Sequence, residues 1–266
     1  MSTGLVSRGA VLIGQQVPRY QTAPPCWSNA AGEVADFMVS LGRSPDPWQR
    51  LVWDLWLGER RDGTWAAFEC FLFVQRQNGK GLDAEEGRGL AGLFLFGEEK
   101  IIYTAHKSET VVNAWKRVRE LVEGSDDLTR RVKRISNKDG EEGIELMSGA
   151  EYQFRVRSGR GKGRGLTGAV LLLDEALYLT AADIDGFGPT MLAVPNAQVI
   201  YTSTPPETGD AHIVSVRDRG RVGEDRLAGA EWSNEPDADV DDPKVQAAAN
   251  PAYGGRITAE RMRDMR

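Results

Sequence analysis

The chain has 266 residues, 41% hydrophobic and 27% charged, a balance that supports a sizeable buried core and excludes global disorder. With 33 basic against 39 acidic side chains the net charge is -6, so a uniformly basic surface is excluded and any contact with DNA or phosphate has to be a local patch. Two cysteines, Cys26 and Cys70, exclude a disulfide scaffold, and no C-x-x-C or His-rich spacing points to a metal. No span approaches about 18 apolar residues and no apolar leader opens the chain, which reads as a cytosolic protein.

Residues 1–31 mix Gly, Pro and Ser with scattered apolar residues and read as an irregular extension. Residues 33–41 and 47–57 predict two helices around the turn Gly42-Arg43-Ser44-Pro45. In the second, Asp46 is the N-cap, Pro47 takes the first helical position, and Trp48, Leu51, Val52 and Leu55 form one apolar stripe. Gln49 lies off that stripe. Its amide has the geometry to pair with the N6/N7 edge of adenine, and otherwise it is an exposed helical residue.

Residues 68–81, FECFLFVQRQNGKG, are the stretch around which the remainder of the chain is organised. The apolar run Phe71, Leu72, Phe73, Val74 predicts a strand covered on both faces, ending abruptly in a polar turn closed by Gly79-Lys80-Gly81. Residues 82–96 then continue as a helix. Strand, loop and helix N-terminus together present backbone N–H groups to an anion, and the Lys80 ammonium adds a point charge for the β- and γ-phosphates. The phosphate-loop pattern G-x-x-x-x-G-K-[ST] is met only in part, because Val74 and Gly81 stand where it has Gly and Ser or Thr.

Residues 100–105 (KIIYTA) predict a second strand, and Ser108 caps a helix with Val111, Val112, Trp115, Val118 and Val122 at helical spacing. Residues 128–156 hold short β-prone runs with Gly-rich turns, read as a hairpin or meander inserted between the α/β units. Between Tyr152 and Leu173 there are five basic residues and no acidic one, concentrated in SGRGKGRGLTG at 158–168. Its alternating glycines exclude a stable helix or central strand, leaving a phosphate-contacting loop or a solvated mobile one. Immediately after, AVLLLDE at 169–175 describes a central parallel strand with two acids at its C-terminal edge. Acids so placed are assigned as Asp174 holding Mg²⁺, through water, and Glu175 activating the attacking water, the alternative being an acidic helix N-cap.

Thr180 opens another helix, limited by Pro189, and QVIYT at 198–202 predicts a strand ending in Ser203-Thr204-Pro205-Pro206. Hydroxyls at that strand end are placed to sense the γ-phosphate, or else belong to a simple strand-terminating turn. A helix around 211–219 and a strand around 227–232 come next. The run 235–242, with five acidic residues and no basic one, reads as a solvated linker before a terminal helical segment.

The order of these pieces is more specific than any one of them: Gln49, the Lys80 loop, a strand ending at Asp174-Glu175, then a strand ending at Ser203-Thr204. In a parallel sheet these strand ends share one edge, the arrangement of a nucleoside triphosphatase.

On RQNGKG at 76–81, GLAGLF at 89–94, YTAHKSET at 103–110, GEEGIELMSG at 140–149, GRGLTG at 163–168, LLLDEA at 171–176 and YTSTPP at 201–206, the chain resembles the N-terminal ATPase domain of tailed-bacteriophage terminase large subunits. The resemblance implies an α/β fold with a RecA-like P-loop NTPase core, a mainly parallel central sheet flanked by helices and an inserted β-hairpin or meander. It implies ATP and Mg²⁺ as ligands, with Gln49, Arg76, Gln77, Asn78, Gly79, Lys80 and Gly81 at the nucleotide. Lys80 matches the phosphate-binding lysine, Arg76 the additional loop arginine, Asp174 and Glu175 the metal-binding and catalytic acids, and Ser203 and Thr204 the coupling motif. Arg164, with Arg160 as second choice, matches the arginine that completes a neighbouring subunit's site in a ring. The implied partners are double-stranded DNA, the portal and procapsid, the small terminase subunit and further copies of the chain, in the host cytoplasm. The domain reading is an extension at 1–31, the ATPase at 32–232, and a linker with a helical segment at 233–266 that leaves no room for a nuclease. A helicase or remodelling ATPase, and a degenerate nucleotide-binding docking module, are the alternatives.

Overall fold

A computed structural model of the protein describes residues 12–157, 166–206 and 211–264. The chain runs through β1 (Tyr20–Thr22), β2 (Ser28–Asn29), α1 (Ala31–Ser40), α2 (Pro47–Trp56), β3 (Gly58–Glu59) and β4 (Glu69–Phe73). The next helix is π-type over Leu82–Arg88 and α-helical over Gly89–Phe94, the latter α3. Then come β5 (Lys100–Ala105), α4 (Ser108–Glu123), α5 (Asp126–Thr129), β6 (Val132–Ser136), β7 (Gly143–Leu146), β8 (Glu151–Val156) and β9 (Val170–Leu173). Helix α6 (Ala181–Leu192), β10 (Gln198–Ser203), α7 (Ala211–Val222), β11 (Leu227–Glu231), α8 (Pro243–Ala249) and α9 (Ala259–Asp264) complete it.

Nine strands form one sheet in the order β1-β11-β4-β10-β9-β5-β8-β7-β6. The six strands from β11 to β8 are mutually parallel; β1 pairs antiparallel with β11 at one edge, and at the other β7 pairs antiparallel with β8 and β6 antiparallel with β7. The β-prone stretch between the α/β units is therefore an extension of the sheet edge: β8 joins the parallel core and β7 and β6 fold back from it.

The apolar runs are continuous because both faces of the central strands are covered. On β4, Cys70 and Leu72 enter the core packed by α1 to α4, whereas Phe71 and Phe73 enter the core on the α6 and α7 side. On β9 the same alternation sends Val170 and Leu172 one way and Leu171 and Leu173 the other. A single-faced strand would need polar residues at every second position, and none is present in either run.

The helix expected over 82–96 forms, but its first half is widened into π-type turns. Trp53 Nε1 donates to the Asp83 carbonyl at 3.0 Å and the Tyr152 hydroxyl to the Glu85 carbonyl at 3.0 Å, so acceptors at the start of this helix are held by buried aromatic donors. Pro189, expected to limit α6, instead lies inside it. The residue four before it, Asp185, is exposed, so the carbonyl freed by the missing N–H faces water.

The ends of the chain differ most from the sequence expectation. The extension at 1–31 supplies β1, which pairs antiparallel with β11, and α1 begins within it. The segment after the acidic run is not a detached tail: Gly14 N donates to Tyr253 O at 2.8 Å and Gln15 N to Ala247 O at 2.9 Å. Local periodicity carries no information about such long-range pairing.

At the opposite end of the π-type helix from the Gly-Lys-Gly loop, Arg88 is fully buried between β10 and the Trp65 ring. Its guanidinium donates to both Glu98 carboxylate oxygens, at 2.7 and 2.6 Å, and to Gln198 Oε1 at 2.9 Å. Removing one partner of such a pair leaves a buried charge without compensation. Arg88→Met is expected to cost about 3–5 kcal/mol of stability, read from the shift of a urea unfolding curve.

Candidate active site

Because β4, β10, β9 and β5 are parallel, their C-terminal ends lie along one sheet edge. The register is tight: Phe73 of β4 pairs with Ser203 of β10, Tyr201 of β10 with Leu173 of β9, and Leu173 with Thr104 of β5. One residue further along each chain stand Val74 at the start of the loop, Thr202 beside Asp174, and Ala105. Val74 N also donates to Ser203 O at 3.1 Å, tying the loop to the end of β10.

A cavity of about 540 Å³ opens at this edge. Arg76, Gln77, Gly79, Lys80, Gly81, Asp174, Glu175, Ser203, Thr204 and Gln49 all border it, together with Glu85, Thr110, Arg117 and Arg256. Arg160 and Arg164 lie outside the described residues.

The loop turns through left-handed backbone at Gln77 (φ 65°) and Gly79 (φ 99°). The left-handed φ favours glycine at 79, and a Cβ there would lie 3.2 Å from the Arg256 guanidinium, which would have to shift slightly. Lys80 Nζ donates to the carbonyls of Val74 at 3.0 Å and Gln75 at 3.4 Å, and burial pulls its pKa below the usual lysine value, with the Asp174 carboxylate opposing the shift.

Asp174 is oriented on both oxygens. The Tyr103 hydroxyl donates to Oδ2 at 2.8 Å, and the Thr202 hydroxyl and Glu175 N donate to Oδ1 at 2.7 and 2.8 Å. A carboxylate so engaged suits a water-mediated hold on a cation rather than a bidentate one. Glu175 has left-handed backbone (φ 51°), and its carboxylate accepts from Lys107 N at 3.0 Å and the Thr110 hydroxyl at 3.1 Å, both at the start of α4. The turn is pinned from below by Arg157, only 4% exposed, whose guanidinium donates to the carbonyls of Thr104 at 2.6 Å, Asp174, and Glu175 at 3.3 Å.

Gln49 is 1% exposed, not an exposed helical residue. Its Oε1 accepts from Asp46 N at 2.9 Å and its Nε2 donates to Gly79 O at 3.1 Å, so both ends of the amide fasten the start of α2 to the loop. Asn78, fully buried, faces away from the cavity and binds the C-terminal segment: Nδ2 donates to Asn250 Oδ1 at 2.9 Å and Oδ1 accepts from Ala252 N at 3.0 Å. Arg256 closes the same contact, donating to Asn78 O at 2.7 Å and Asp46 Oδ2 at 2.6 Å.

Sequence reasoning did not find Glu85, Arg117, Thr110 or Arg256. Glu85 and Thr110 carry weak local cues, four residues after Gly81 and in the first turn of the helix after β5. Arg256 carries none, being 176 residues from Lys80 in the chain and brought in only by the packing of its segment.

Fold and site together define an α/β domain built on a mainly parallel sheet, with a Gly-Lys-Gly loop, two acids and two hydroxyl residues gathered around one cavity at its C-terminal edge. No protein-family model and no curated protein matches the chain by sequence. Solved structures do match: the large terminase of bacteriophage HK97 superposes with a TM-score of 0.73 at 21% identity, over 88% of this chain and 50% of that one. The large terminase ATPase domain of Thermus phage P74-26 gives 0.52 at 17% identity, over 78% of each chain. The large terminase of a thermophilic bacteriophage, in complex with ADP, gives 0.50 at 10% identity, over 75% of this chain and 44% of that one. The chain has the fold of large terminase ATPase domains, and it spans half the length of the HK97 protein. No helix among the described residues is long and apolar enough to cross a membrane.

The fastening of the loop by the C-terminal segment is open to test. Asn78→Ala is expected to cost about 1–3 kcal/mol, by leaving Ala252 N and Asn250 Oδ1 without their partner, and to speed amide hydrogen exchange at Ala252 before any change in the β4 strand.

Proposed function

We propose that this chain is the ATP-hydrolysing motor domain of a terminase large subunit, which moves double-stranded viral DNA into a procapsid. The observation that carries the reading is the convergence of Lys80, Asp174, Glu175, Ser203 and Thr204 on one cavity at the C-terminal edge of a parallel sheet. The large terminase of the thermophilic bacteriophage, of the same fold, is a complex with ADP, which supports the adenine nucleotide as ligand.

In this reading the loop at 76–81 cradles the phosphates, and Lys80 turns from the Val74 and Gln75 carbonyls to the β- and γ-phosphates. Arg76, exposed at the cavity rim, adds charge beside them. Glu175 accepts a proton from the attacking water and Asp174 orients the metal's water shell. Mg²⁺, when bound with the nucleotide, neutralises charge developing on the phosphate oxygens. Ser203 and Thr204 transmit loss of the γ-phosphate to the loop through the bond between Ser203 O and Val74 N. Gln49 reaches adenine only by releasing Gly79 O, so its first duty is to shape the loop. DNA, portal, small terminase subunit and a homo-oligomeric ring in the host cytoplasm are the partners and setting this function calls for, with Arg164, or Arg160 as second choice, completing a neighbour's site.

Lys80→Ala is expected to abolish Mg-ATP hydrolysis, and Glu175→Gln to lower turnover about 10²–10⁴-fold while retaining bound nucleotide, as measured by phosphate release and by fluorescent-nucleotide binding. Wild-type turnover in both variants would sink the assignment. Mixing Arg164→Ala with Glu175→Ala subunits is expected to recover activity absent from either alone, since one interface regains both groups; absence of recovery at associating concentrations counts against the trans-acting arginine.

A further inference from the structure

The least regular feature of the phosphate loop is Gly81, which stands where the pattern has a hydroxyl that ligates Mg²⁺. The structure shows why no side chain is there. A Cβ on Gly81 would collide with Glu85 Oε1 and come within 3.1 Å of both Glu85 Cδ and Arg117 Nη2. The volume that a Ser or Thr side chain would fill is already held by a carboxylate oxygen, delivered from four residues later on the same helix.

That carboxylate is not a bystander in the core. Glu85 has 3% of its side chain exposed yet borders the same cavity as Lys80 and Asp174. A buried carboxylate needs a cation, and here the cation is the guanidinium of Arg117, which pairs with Glu85 and, at 3.2 Å, with Glu86. Arg117 is itself 42% exposed, and Glu86 is separately held by Arg43 at 3.0 Å. The positive charge beside Glu85 is therefore carried by a side chain with solvent to withdraw into, and Glu86 keeps a partner if it does. Among the described residues no three His, Cys, Asp or Glu side chains converge as a closed metal site. A cation at this edge has to draw on phosphate oxygens for part of its shell, as Mg²⁺ does when it arrives with a nucleoside triphosphate.

We propose that Glu85 would replace the missing hydroxyl of position 81 as the protein's direct oxygen ligand for nucleotide-bound Mg²⁺, with Asp174 holding the ion through water and Arg117 neutralising Glu85 until the metal arrives. This role for Glu85 rests on the nucleotide reading and names the residue that makes it work without Ser or Thr. Glycine at 81 leaves free the space that the Glu85 carboxylate occupies.

The test is the metal-dependent increment in ADP affinity, the ratio of dissociation constants in EDTA and in Mg²⁺, with Mn²⁺ electron paramagnetic resonance of the ADP complex as an independent readout. Taking the ratio within each variant removes any metal-independent loss. Glu85→Gln is expected to cut the increment about tenfold or more and to weaken Mn²⁺ retention in parallel. Gly81→Ser alone is expected to lower it through the clash, and Gly81→Ser combined with Glu85→Ala to recover it, the hydroxyl now having both space and metal. Arg117→Gln, which removes the ion pair and keeps the carboxylate, is expected to hold or raise the increment. A Glu85→Gln protein with the wild-type increment, or an Arg117→Gln protein that loses as much as Glu85→Gln, overturns the assignment. Wild-type protein that binds no ADP with or without metal overturns the nucleotide reading, and this assignment with it.

Discussion

The parallel pairing of β4 with β10 and of β10 with β9 is the constraint on which the rest of the structure depends. Parallel strands place like ends together, so three segments distant in sequence deliver a loop, a hydroxyl pair and two acids to one edge. The register does the fine adjustment. With Tyr201 opposite Leu173, the next residue on each strand puts the Thr202 hydroxyl 2.7 Å from Asp174. A slip of β9 by one residue would also turn Leu171 and Leu173 into the wrong core, so packing on both faces and the groups brought to the edge are specified by the same alignment.

Around that edge, polar groups are committed before any ligand is considered. Asp174 is held by Tyr103, Thr202 and Glu175 N, Glu175 by α4, and the peptide turn between them by the buried Arg157. Such commitment limits how far the acids move and lowers the cost of organising them around a bound charged group. The loop is fixed from two further directions. Gln49 binds it from α2, and Asn78 with Arg256 binds it to a segment near the described C-terminal end, so this segment is part of the loop's support rather than an appendage.

Burial also sets the charge states at the cavity. Desolvation pulls Lys80 down and pushes Glu85 up to about 7, with Arg117 drawing Glu85 back toward its ionised form. These opposing pulls mark charges arranged for one another: Glu85 has a base beside it, and that base has both a second acid in Glu86 and an exit to solvent.

Much of this is legible from residues in order. Apolar runs ending in GKG, DE and STPP announce buried strands with polar tips, because only a strand covered on both faces tolerates such continuity, and Asp46 and Thr180 mark the helix starts they cap. Local patterning determined most of the strands and helices, though not β1 or the π-type turns over Leu82–Arg88. What only the tertiary structure decided is who meets whom: that Glu85 fills the space beside Gly81, that Arg117 neutralises it, that Gln49 is buried under the loop, and that Arg256 crosses to Asn78. Those relations depend on side chains from separate elements sharing a small volume, a property of packing that periodicity along one chain does not encode.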